Sequence, residues 1–270
     1  MKQFYVITNK TKDKTLNITQ QIKEYIEMRG GICHLSEQEP CVPDGTECMI
    51  VLGGDGTLIR AARELRGKNI PLIGINMGTL GYLAEVEVSN LEECLEQLMN
   101  GETQRESRMM LKGVINGSIE DVAMNDIVLS RTGSLRIIHF NLYVNGELLN
   151  TYHADGMIVS TPTGTTAYNL SAGGPIVEPT AKMIVLTPIC PHALNTSSIV
   201  LSAEDEIVLE MEKKRDGGVE KAIVSFDGEQ NIEIETGDRV IIRKAEDTTN
   251  LLKLSKVSFL ETLRKKMKGN

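Results

Sequence analysis

A buried-strand pattern that runs into three glycines constrains the fold of this chain most strongly. Cys48 to Leu52 form a continuous apolar run of the length expected for a buried parallel strand. Residues 53–57 are Gly-Gly-Asp-Gly-Thr, and residues 58–65 are good helix formers. The segment therefore predicts a strand, a glycine-rich loop and a helix in succession. Backbone N–H groups of such a loop, with the N-terminus of the following helix, can bind a phosphate group.

The carboxylate of Asp55 needs a separate explanation, because a negative charge inside a phosphate-binding loop repels phosphate. It could accept a proton from an attacking hydroxyl group, hold Mg²⁺, or act as the N-cap of the following helix. The spacing does not match G-x-G-x-x-G, since Ile59 occupies the third glycine position, and no G-x-x-x-x-G-K-[ST] loop occurs. The role of Asp55 stays open at this point. Candidate phosphate contacts are Gly53, Gly54, Gly56, Thr57 and Arg60. Arg60 could equally be an ordinary solvated arginine on the surface.

Composition narrows the class of protein. The chain has 270 residues, 41% of them hydrophobic and 24% charged, which suits one large or two medium globular domains. A net charge of −8 argues against a surface for nucleic acid or anionic membrane. The longest apolar runs fall far short of a membrane span, and the N-terminal segment MKQFYVITNK lacks the long apolar core of a signal peptide, so a cytoplasmic protein is predicted.

The five cysteines are odd in number, widely spaced and without a C-x-x-C pair. This pattern predicts reduced, partly buried thiols. Cys190 and His192 could suggest a metal site, but a single pair on a proline-rich bend is more often structural.

The first hundred residues alternate between strand and helix patterns. A strand is predicted at 4–7, a helix at 13–28 and a second strand at 31–35, before the strand and helix around the glycine-rich loop. A further buried strand follows at 70–76, and Ser89 is predicted to cap a helix that carries Leu91, Leu95 and Leu98. This alternation predicts a Rossmann-like α/β domain over 1–100, with a parallel sheet and helices on both faces.

The pattern changes after Gly101 to short alternating segments. Asn116-Gly117 and Asn145-Gly146 are typical hairpin turns, and a mostly β, sandwich-like domain is predicted over 101–252. Ser258 and Glu261 form a capping-box pattern, which places a helix in the segment 253–270. Because a sandwich offers such a helix little surface, it is predicted to return to the first domain. Strands are predicted at 140–144, 199–201, 207–209, 222–226 and 239–242.

A second polar stretch, residues 153–175, interrupts the strand pattern. It combines acid, hydroxyl, glycine and aromatic residues, including Thr-Pro-Thr-Gly at 161–164 and Tyr168. Hydroxyl groups beside one aromatic face can bind a sugar and a base. A glycine- and serine-rich loop without a chemical role is the alternative. Asn125 and Asp126, just before another apolar strand, are likewise compatible with an ordinary turn.

Taken together, these stretches closely resemble the NAD kinase family, which phosphorylates NAD to NADP. The resemblance covers residues 48–229, and GGDGT alone is shared with phosphofructokinases and with lipid kinases. The block TPTGTTAY makes the assignment specific. The ordered matches are GGDGT (53–57), Asn125-Asp126, DGMIVSTPTGTTAY (155–168), SAGGP (171–175), PICPH (188–192) and SFDGE (225–229).

The resemblance implies that Asp55 accepts the proton of the ribose hydroxyl and that Gly56 lies beside the dinucleotide. Two departures matter: Asp126 is Glu in many members, and Glu229 stands where Gln is common, which weakens the expectation of a contact there. The other positions implied to contact NAD are Asn125, Asp126, Arg136, His153, Asp155, Thr163, Thr166, Ala167, Tyr168, Asn169, Leu170, Ser171 and Glu229.

The resemblance also implies ATP as the phosphoryl donor, a divalent metal such as Mg²⁺, and a homodimer or homotetramer whose substrate groove lies between the two domains. The predicted reaction is attack of the 2′-hydroxyl of the adenosine ribose of NAD on the terminal phosphorus of ATP. Two alternatives are a lipid or sphingoid-base kinase with the same GGDGT loop and a catalytically silent NADP-sensing module. The sequence does not decide between NAD and NADH, or between ATP and polyphosphate.

Overall fold

The computed structural model describes residues 1–78, 81–133, 136–193, 197–213, 218–254 and 257–268. The chain divides into two compact units. The first comprises Met1–Ser107 and Thr249–Asn270, and the second comprises Arg108–Thr248. Two long strands, Gln104–Ile115 and Arg239–Lys253, run from one unit into the other.

The first unit is built on a parallel sheet. The elements are β1 (Gln3–Thr8), α1 (Asn17–Met28), β2 (Ile32–Leu35), β3 (Cys48–Gly53), α2 (Asp55–Glu64), β4 (Leu72–Asn76), β5 (Val86–Glu87), a 3₁₀ turn (Val88–Asn90) and α3 (Leu91–Asn100). The strands lie in the order β2-β1-β3-β4, with β5 beside β4. The alternating sequence pattern of this segment predicts parallel pairing with intervening helices, and the prediction is confirmed.

Helices cover both faces of this sheet. On one face, Ile73 and Ile75 of β4 lie in one apolar cluster with residues of α1 and α3. Gly74, between them, points to the other face, where an added Cβ would overlap Leu58 of α2. The glycine therefore lets α2 approach the sheet closely. This close approach packs α2 directly against β4.

Two details of the first unit differ from the sequence prediction. Helix α1 begins at Asn17 rather than at Asp13. Asp13 lies before the helix, and its carboxylate accepts hydrogen bonds from the backbone N–H and hydroxyl of Thr19 in the first turn, at 2.9 and 2.8 Å. Ser89 does not cap α3: it lies within the 3₁₀ turn, and Asn90 precedes the helix without a side-chain cap. Both errors arise because hydrogen-bonded turns compete with the first helical turn.

The C-terminal segment belongs to the first unit, as predicted. Leu251 in the last part of the strand Arg239–Lys253 pairs in parallel with Leu72 of β4. The final helix, Phe259–Met267, is capped by the preceding Ser258, whose hydroxyl accepts a hydrogen bond from the Glu261 N–H at 3.2 Å. The capping-box prediction is therefore confirmed at its serine.

The second unit is a β sandwich. Its elements are β6 (Gln104–Ile115), β7 (Ile119–Ala123), β8 (Asp126–Arg131), β9 (Ile138–Val144), β10 (Glu147–Ala154), β11 (Gly156–Ser160), a 3₁₀ turn (Thr163–Thr166), α4 (Tyr168–Ser171), β12 (Met183–Ile189), β13 (Ile199–Ser202), β14 (Ile207–Met211), β15 (Lys221–Phe226), β16 (Gln230–Glu235) and β17 (Arg239–Lys253); the C-terminal helix is α5. One antiparallel sheet has the order β13-β12-β11-β8-β15-β16. The facing layer has the order β10-β9-β14-β17.

The two layers of this unit share one apolar core. Phe140 of β9 and Val159 of β11 are fully buried in the same cluster. The predicted hairpins at Asn116-Gly117 and Asn145-Gly146 are confirmed, with positive φ at all four residues. That geometry matches the right-handed twist of the paired strands. Asp227-Gly228 forms a third turn of the same kind, between β15 and β16.

Candidate active site

The glycine-rich loop connects β3 directly to α2. Gly53 ends the strand, Gly54 is the extended N-cap residue with φ −130° and ψ −172°, and Asp55 is the first residue of the helix. A Cβ on Gly53 would overlap the side chain of Thr57, whereas one on Gly56 would meet nothing within 4 Å. The first glycine thus closes the turn, and Gly56 leaves an exposed stretch of bare backbone at the helix start. Bare backbone of this kind can approach a ligand closely.

Asp55 is not the helix N-cap, because Gly54 holds that position and no side chain caps α2. Its carboxylate instead accepts hydrogen bonds from three consecutive backbone N–H groups, those of Tyr82 (2.7 Å), Leu83 (3.1 Å) and Ala84 (3.1 Å). The N-cap alternative is therefore excluded. The carboxylate joins the glycine-rich loop to the segment that follows β4.

Gly81 shows how closely that segment approaches Asp55. A Cβ at Gly81 would overlap both carboxylate oxygens. A side chain at this position would force Asp55 or the segment around Gly81 to shift, so the glycine is part of the arrangement around the carboxylate.

Two cationic side chains lie in or beside this region of the first unit. Arg60, one turn into α2, is exposed and lies 3.8 Å from Glu64, a weak pair that leaves the guanidinium in solvent. Lys12 was not predicted from the sequence, yet its ammonium group lies beside Gly54 and Gly78. One signal was available: Lys12 follows β1, and the carboxyl ends of adjacent parallel strands are where ligands bind in such sheets.

In the second unit, Asp227 organises the predicted Asn125-Asp126 pair. Its carboxylate accepts hydrogen bonds from the backbone N–H groups of Met124 (2.8 Å), Asn125 (2.7 Å) and Asp126 (3.2 Å). Asp227 stands in the matched SFDGE stretch, but sequence reasoning gave it no role. The Asp-Gly turn between β15 and β16 thereby fixes the backbone at the start of β8.

The same contacts place two carboxyl groups next to each other. Asp126 is 5% exposed. Burial, and then the nearby negative charge of Asp227, raise the pKa of Asp126 to about 7. Its carboxyl group therefore titrates near neutral pH, and in its protonated form it can donate a hydrogen bond to a ligand.

His153 and Asp155 each lie against one polar side chain. The Asp155 carboxylate pairs with the Arg131 guanidinium at 2.8 Å. The His153 ring lies edge-on to His139, with 4.5 Å between centroids, and Nδ1 of His139 lies 3.0 Å from Glu220. Asp155 is half-buried and His153 is exposed, so the histidine is the more accessible of the two to a ligand.

The hydroxyl-rich loop is held together by its own buried polar groups. The amide of Asn169 donates to the carbonyl groups of Thr165 (3.2 Å) and Pro175 (2.9 Å) and accepts from the Thr187 hydroxyl (2.6 Å). Asn169 is fully buried and both N–H groups of its amide already donate, so only the second lone pair of Oδ1 is left for a ligand. The simplest role for this amide is to shape the loop.

Thr163, also predicted as a contact, is buried as well. Its hydroxyl accepts a hydrogen bond from Nη1 of Arg108 at 3.2 Å. Arg108, which is 4% exposed, was not predicted, since nothing in its local sequence marks a buried arginine. Thr163 and Arg108 thus stabilise the turn after β11 from inside.

The accessible side of the loop is formed by residues on either side of the buried Asn169. Tyr168 is 46% exposed and Leu170 is 40% exposed. Ser171 is exposed too, and Thr166 and Ala167 are half-buried. Elsewhere in the unit, Arg136 and Glu229 are exposed and Asn125 is half-buried. Among the predicted contacts, Thr163 and Asn169 are therefore buried supports within the loop, whereas the half-buried and exposed residues form an exposed set available to a ligand.

Metal ligands are not grouped in advance within the parts of the chain described. No three His, Cys, Asp or Glu residues there are arranged to hold a metal ion.

All five cysteines are unpaired thiols, as predicted, and burial raises the pKa of Cys33 and Cys94 to about 12. None of the helices within the described ranges is long and apolar enough to cross a membrane.

A Rossmann-like unit with a GGDGT loop, joined to a β sandwich with a hydroxyl-rich loop, defines the two-domain GGDGT class of phosphotransferases. Residues 6–103 match the ATP-NAD kinase N-terminal domain and residues 124–254 the ATP-NAD kinase C-terminal domain. The chain belongs to the NAD kinase family.

Relatives of similar length agree with this assignment. The chain is 46% identical to an NAD kinase of Lachnospira eligens, covering 99% of this chain and 100% of that protein. It is 49% identical to one of Agathobacter rectalis, covering 100% and 99%. The NAD kinase of Archaeoglobus fulgidus, solved with ATP, shares 26% identity and a TM-score of 0.81, covering 98% of each chain. Yeast NADH kinase, solved with NADH, has the same fold, with a TM-score of 0.83 at 22% identity over 100% of this chain and 88% of that one.

Proposed function

We propose that this protein is an ATP-dependent NAD kinase, which transfers the terminal phosphoryl group of ATP to the 2′-hydroxyl of the adenosine ribose of NAD. The observation that carries the proposal is membership of the NAD kinase family over both units of the chain. The sequence alternatives, a lipid kinase and a silent NADP-sensing module, are not favoured by any contact in the structure.

The proposed chemistry relies on positioning and charge balance rather than on covalent catalysis. Asp55 accepts the proton of the 2′-hydroxyl as the hydroxyl attacks phosphorus. Oδ2 is the more available oxygen, because it accepts one backbone hydrogen bond whereas Oδ1 accepts two. The three N–H groups hold the carboxylate in place during the reaction.

The dinucleotide is proposed to contact the exposed set of the second unit. Tyr168 offers an aromatic face for a base, and Thr166 and Ser171 offer hydroxyl groups. The further proposed contacts are Gly56 of the first unit, the buried Asp126, and Asn125, Arg136, His153, Asp155, Ala167, Leu170 and, less securely, Glu229. Thr163 and Asn169 support these residues from within the loop.

The triphosphate is proposed to lie against the backbone of Gly53, Gly54, Gly56 and Thr57, with Arg60 as a further partner. A divalent ion, Mg²⁺ in the first instance, would neutralise charge on the phosphates. Both oxygens of Asp55 already accept backbone hydrogen bonds. We therefore expect the phosphates, rather than protein side chains, to supply most of the ligands of the divalent ion. A cytoplasmic homodimer or homotetramer that binds neither nucleic acid nor membrane completes the proposal.

A coupled assay for NADP formation tests this function. The purified chain is incubated with NAD, ATP and Mg²⁺, and NADP is detected with an NADP-specific dehydrogenase. NADP should form, and diacylglycerol should not be phosphorylated in parallel reactions. Formation of lipid phosphate alone, or no NADP with Mg²⁺ or Mn²⁺, would refute the proposal.

A further inference from the structure

Lys12 lies against the glycine-rich loop although it is about forty residues away in sequence. Its Nζ atom is 3.3 Å from the point that a Cβ would occupy on Gly54, and 3.3 Å from the corresponding point on Gly78. Among the described residues other than the glycines and their chain neighbours, no other atom lies within 4 Å of either point. The ammonium group therefore stands over two backbone positions without side chains, one in the loop and one just after β4.

The position of Lys12 is set by the loop itself. The Asn9 N–H donates to the Leu52 carbonyl of β3 at 2.8 Å, and the Asn9 amide donates to the Thr57 hydroxyl of α2 at 3.3 Å. The Lys12 N–H in turn donates to the Asn9 carbonyl at 2.9 Å. The backbone that carries the lysine is thus tied to both elements that flank the glycines.

The residues on either side of Lys12 are also held. The Asn9 side chain accepts hydrogen bonds from the Thr11 N–H (3.0 Å) and hydroxyl (2.7 Å), and Asp13 is buried against Thr19. Lys10 and Lys14, on the same segment, are exposed like Lys12, but neither ammonium group lies beside Gly54 or Gly78. The segment therefore directs one of its three lysines toward the loop.

Charge indicates what this lysine binds. Within the described residues Lys12 forms no ion pair, and the carboxylate of Asp55 is engaged by Tyr82, Leu83 and Ala84. A cation held beside bare backbone N–H groups is the arrangement that binds phosphate oxygens. The protein itself carries a net charge of −8, so a polyanionic substrate depends on local cations of this kind.

We propose that Lys12 is a phosphate-binding residue of the ATP site, whose ammonium group contacts the β- or γ-phosphate of the nucleotide received by the glycine-rich loop. This inference rests on the proposed function and names one more residue of the same site. As the γ-phosphate is transferred, the same contact balances the charge on its oxygens. Lys12 takes no proton and forms no covalent bond.

Four variants test the inference: Lys12→Met, Lys12→Arg, and the matched controls Lys10→Met and Lys14→Met, which remove the same charge from the same segment. Calorimetry measures the affinity of each for a non-hydrolysable ATP analogue with Mg²⁺, and separately for NAD. Lys12→Met should weaken the analogue about 10–100-fold, the cost of one charge-assisted phosphate contact. It should change NAD affinity less than about twofold, while Lys12→Arg and both controls should stay within about threefold of wild type for the analogue.

The outcomes separate this inference from the function on which it rests. If the wild-type protein makes no NADP, the proposed function fails, whatever the variants do. If the wild type makes NADP and Lys12→Met binds the analogue as well as Lys14→Met does, the function stands and the role of Lys12 is refuted. An equal loss of affinity in all three Met variants would also refute it, because the effect would then be general surface charge. Thermal melts of each variant verify that the exposed substitutions leave the fold intact.

Discussion

Oδ2 of Asp55 accepts a hydrogen bond from the backbone N–H of Tyr82 at 2.7 Å. Together with the bonds from Leu83 and Ala84 to Oδ1, this contact gives one carboxylate two tasks. It holds the segment after β4 against the start of α2, and it is proposed to accept the proton of the ribose hydroxyl. Any experiment on Asp55 must therefore separate an effect on stability from an effect on chemistry.

Asp55→Asn tests the proton acceptor. The amide keeps the size of the carboxylate but cannot accept a proton, so turnover should fall roughly 10²–10⁴-fold. The Asn NH₂ group would also face a backbone N–H, so the free energy of unfolding should fall by about 1–3 kcal/mol. Turnover, NAD affinity and denaturant unfolding are measured on the same preparation.

The pattern of the three measurements on Asp55→Asn identifies the role. A loss of turnover with nearly unchanged NAD affinity supports the proton acceptor. Partial recovery of the rate with added Mg²⁺ or Mn²⁺ would instead indicate a metal-holding role. A fully active variant with reduced stability would leave Asp55 as a structural residue alone.

Gly81→Ala tests how strictly the loop must approach the carboxylate. A Cβ at this position would overlap the carboxylate of Asp55, so either Asp55 or the segment 81–84 must shift. We expect the free energy of unfolding to fall by about 1–3 kcal/mol and turnover to fall with it. Gly133→Ala is the control, since a Cβ there meets nothing within 4 Å. Wild-type turnover and stability in Gly81→Ala would show that the approach is not needed.

Tyr168→Ala tests the aromatic face of the hydroxyl-rich loop. Because the side chain is 46% exposed, its loss should change the free energy of unfolding by less than about 1 kcal/mol. If a base stacks on the ring, NAD binding should weaken by about 1–3 kcal/mol. Leu148→Ala, at a 53% exposed position of β10, is the control. Calorimetry that finds equal NAD affinity in both variants would remove Tyr168 from the binding site.

Much of the fold follows from local sequence patterns. The apolar run Cys48–Leu52 and the glycines after it predict β3, the loop and α2, because a continuous apolar strand and a glycine turn allow few other structures. The Asn-Gly pairs predict two hairpins for a similar reason: their backbone favours positive φ at both positions. Helix starts are less predictable, since Asp13 and Thr19 form a side-chain hydrogen bond that no periodicity reveals.

The parts of the site that could not be predicted depend on contacts distant in sequence. Asp227 binds the backbone at Asn125 across about a hundred residues. Lys12 reaches Gly54 only through the folding of the parallel sheet. Sequence patterns show which residue types are present, but partners that topology brings together carry no local signal. The burial of Asn169 could not be predicted either. Its sequence motif suggests a contact with the ligand, whereas in the structure its buried amide holds the loop together.

Asp126→Asn tests the buried carboxyl pair through the pH dependence of stability. In the wild type, burial and the charge of Asp227 raise the pKa of Asp126 from 3.8 to about 7. Below pH 4 the carboxyl group is protonated in both folded and unfolded chains, so its contribution to stability is fully present. As the pH rises toward 7 the unfolded chain loses this proton first, and the contribution is lost. The neutral amide cannot titrate, so Asp126→Asn should gain stability relative to the wild type over this range, by about 2–4 kcal/mol.

Urea unfolding of Asp126→Asn and wild type at several values between pH 4 and pH 8 measures this difference. Asp247→Asn is the matched control, because it removes the same charge from an exposed position of β17. The difference between Asp126→Asn and wild type should grow with pH and level off above pH 7, and this growth should exceed any seen with Asp247→Asn. Parallel slopes for the two variants would mean that Asp126 ionises in the folded protein as readily as a surface carboxylate. Its carboxyl group would then meet a ligand as an anion at neutral pH, able to accept hydrogen bonds but not to donate one.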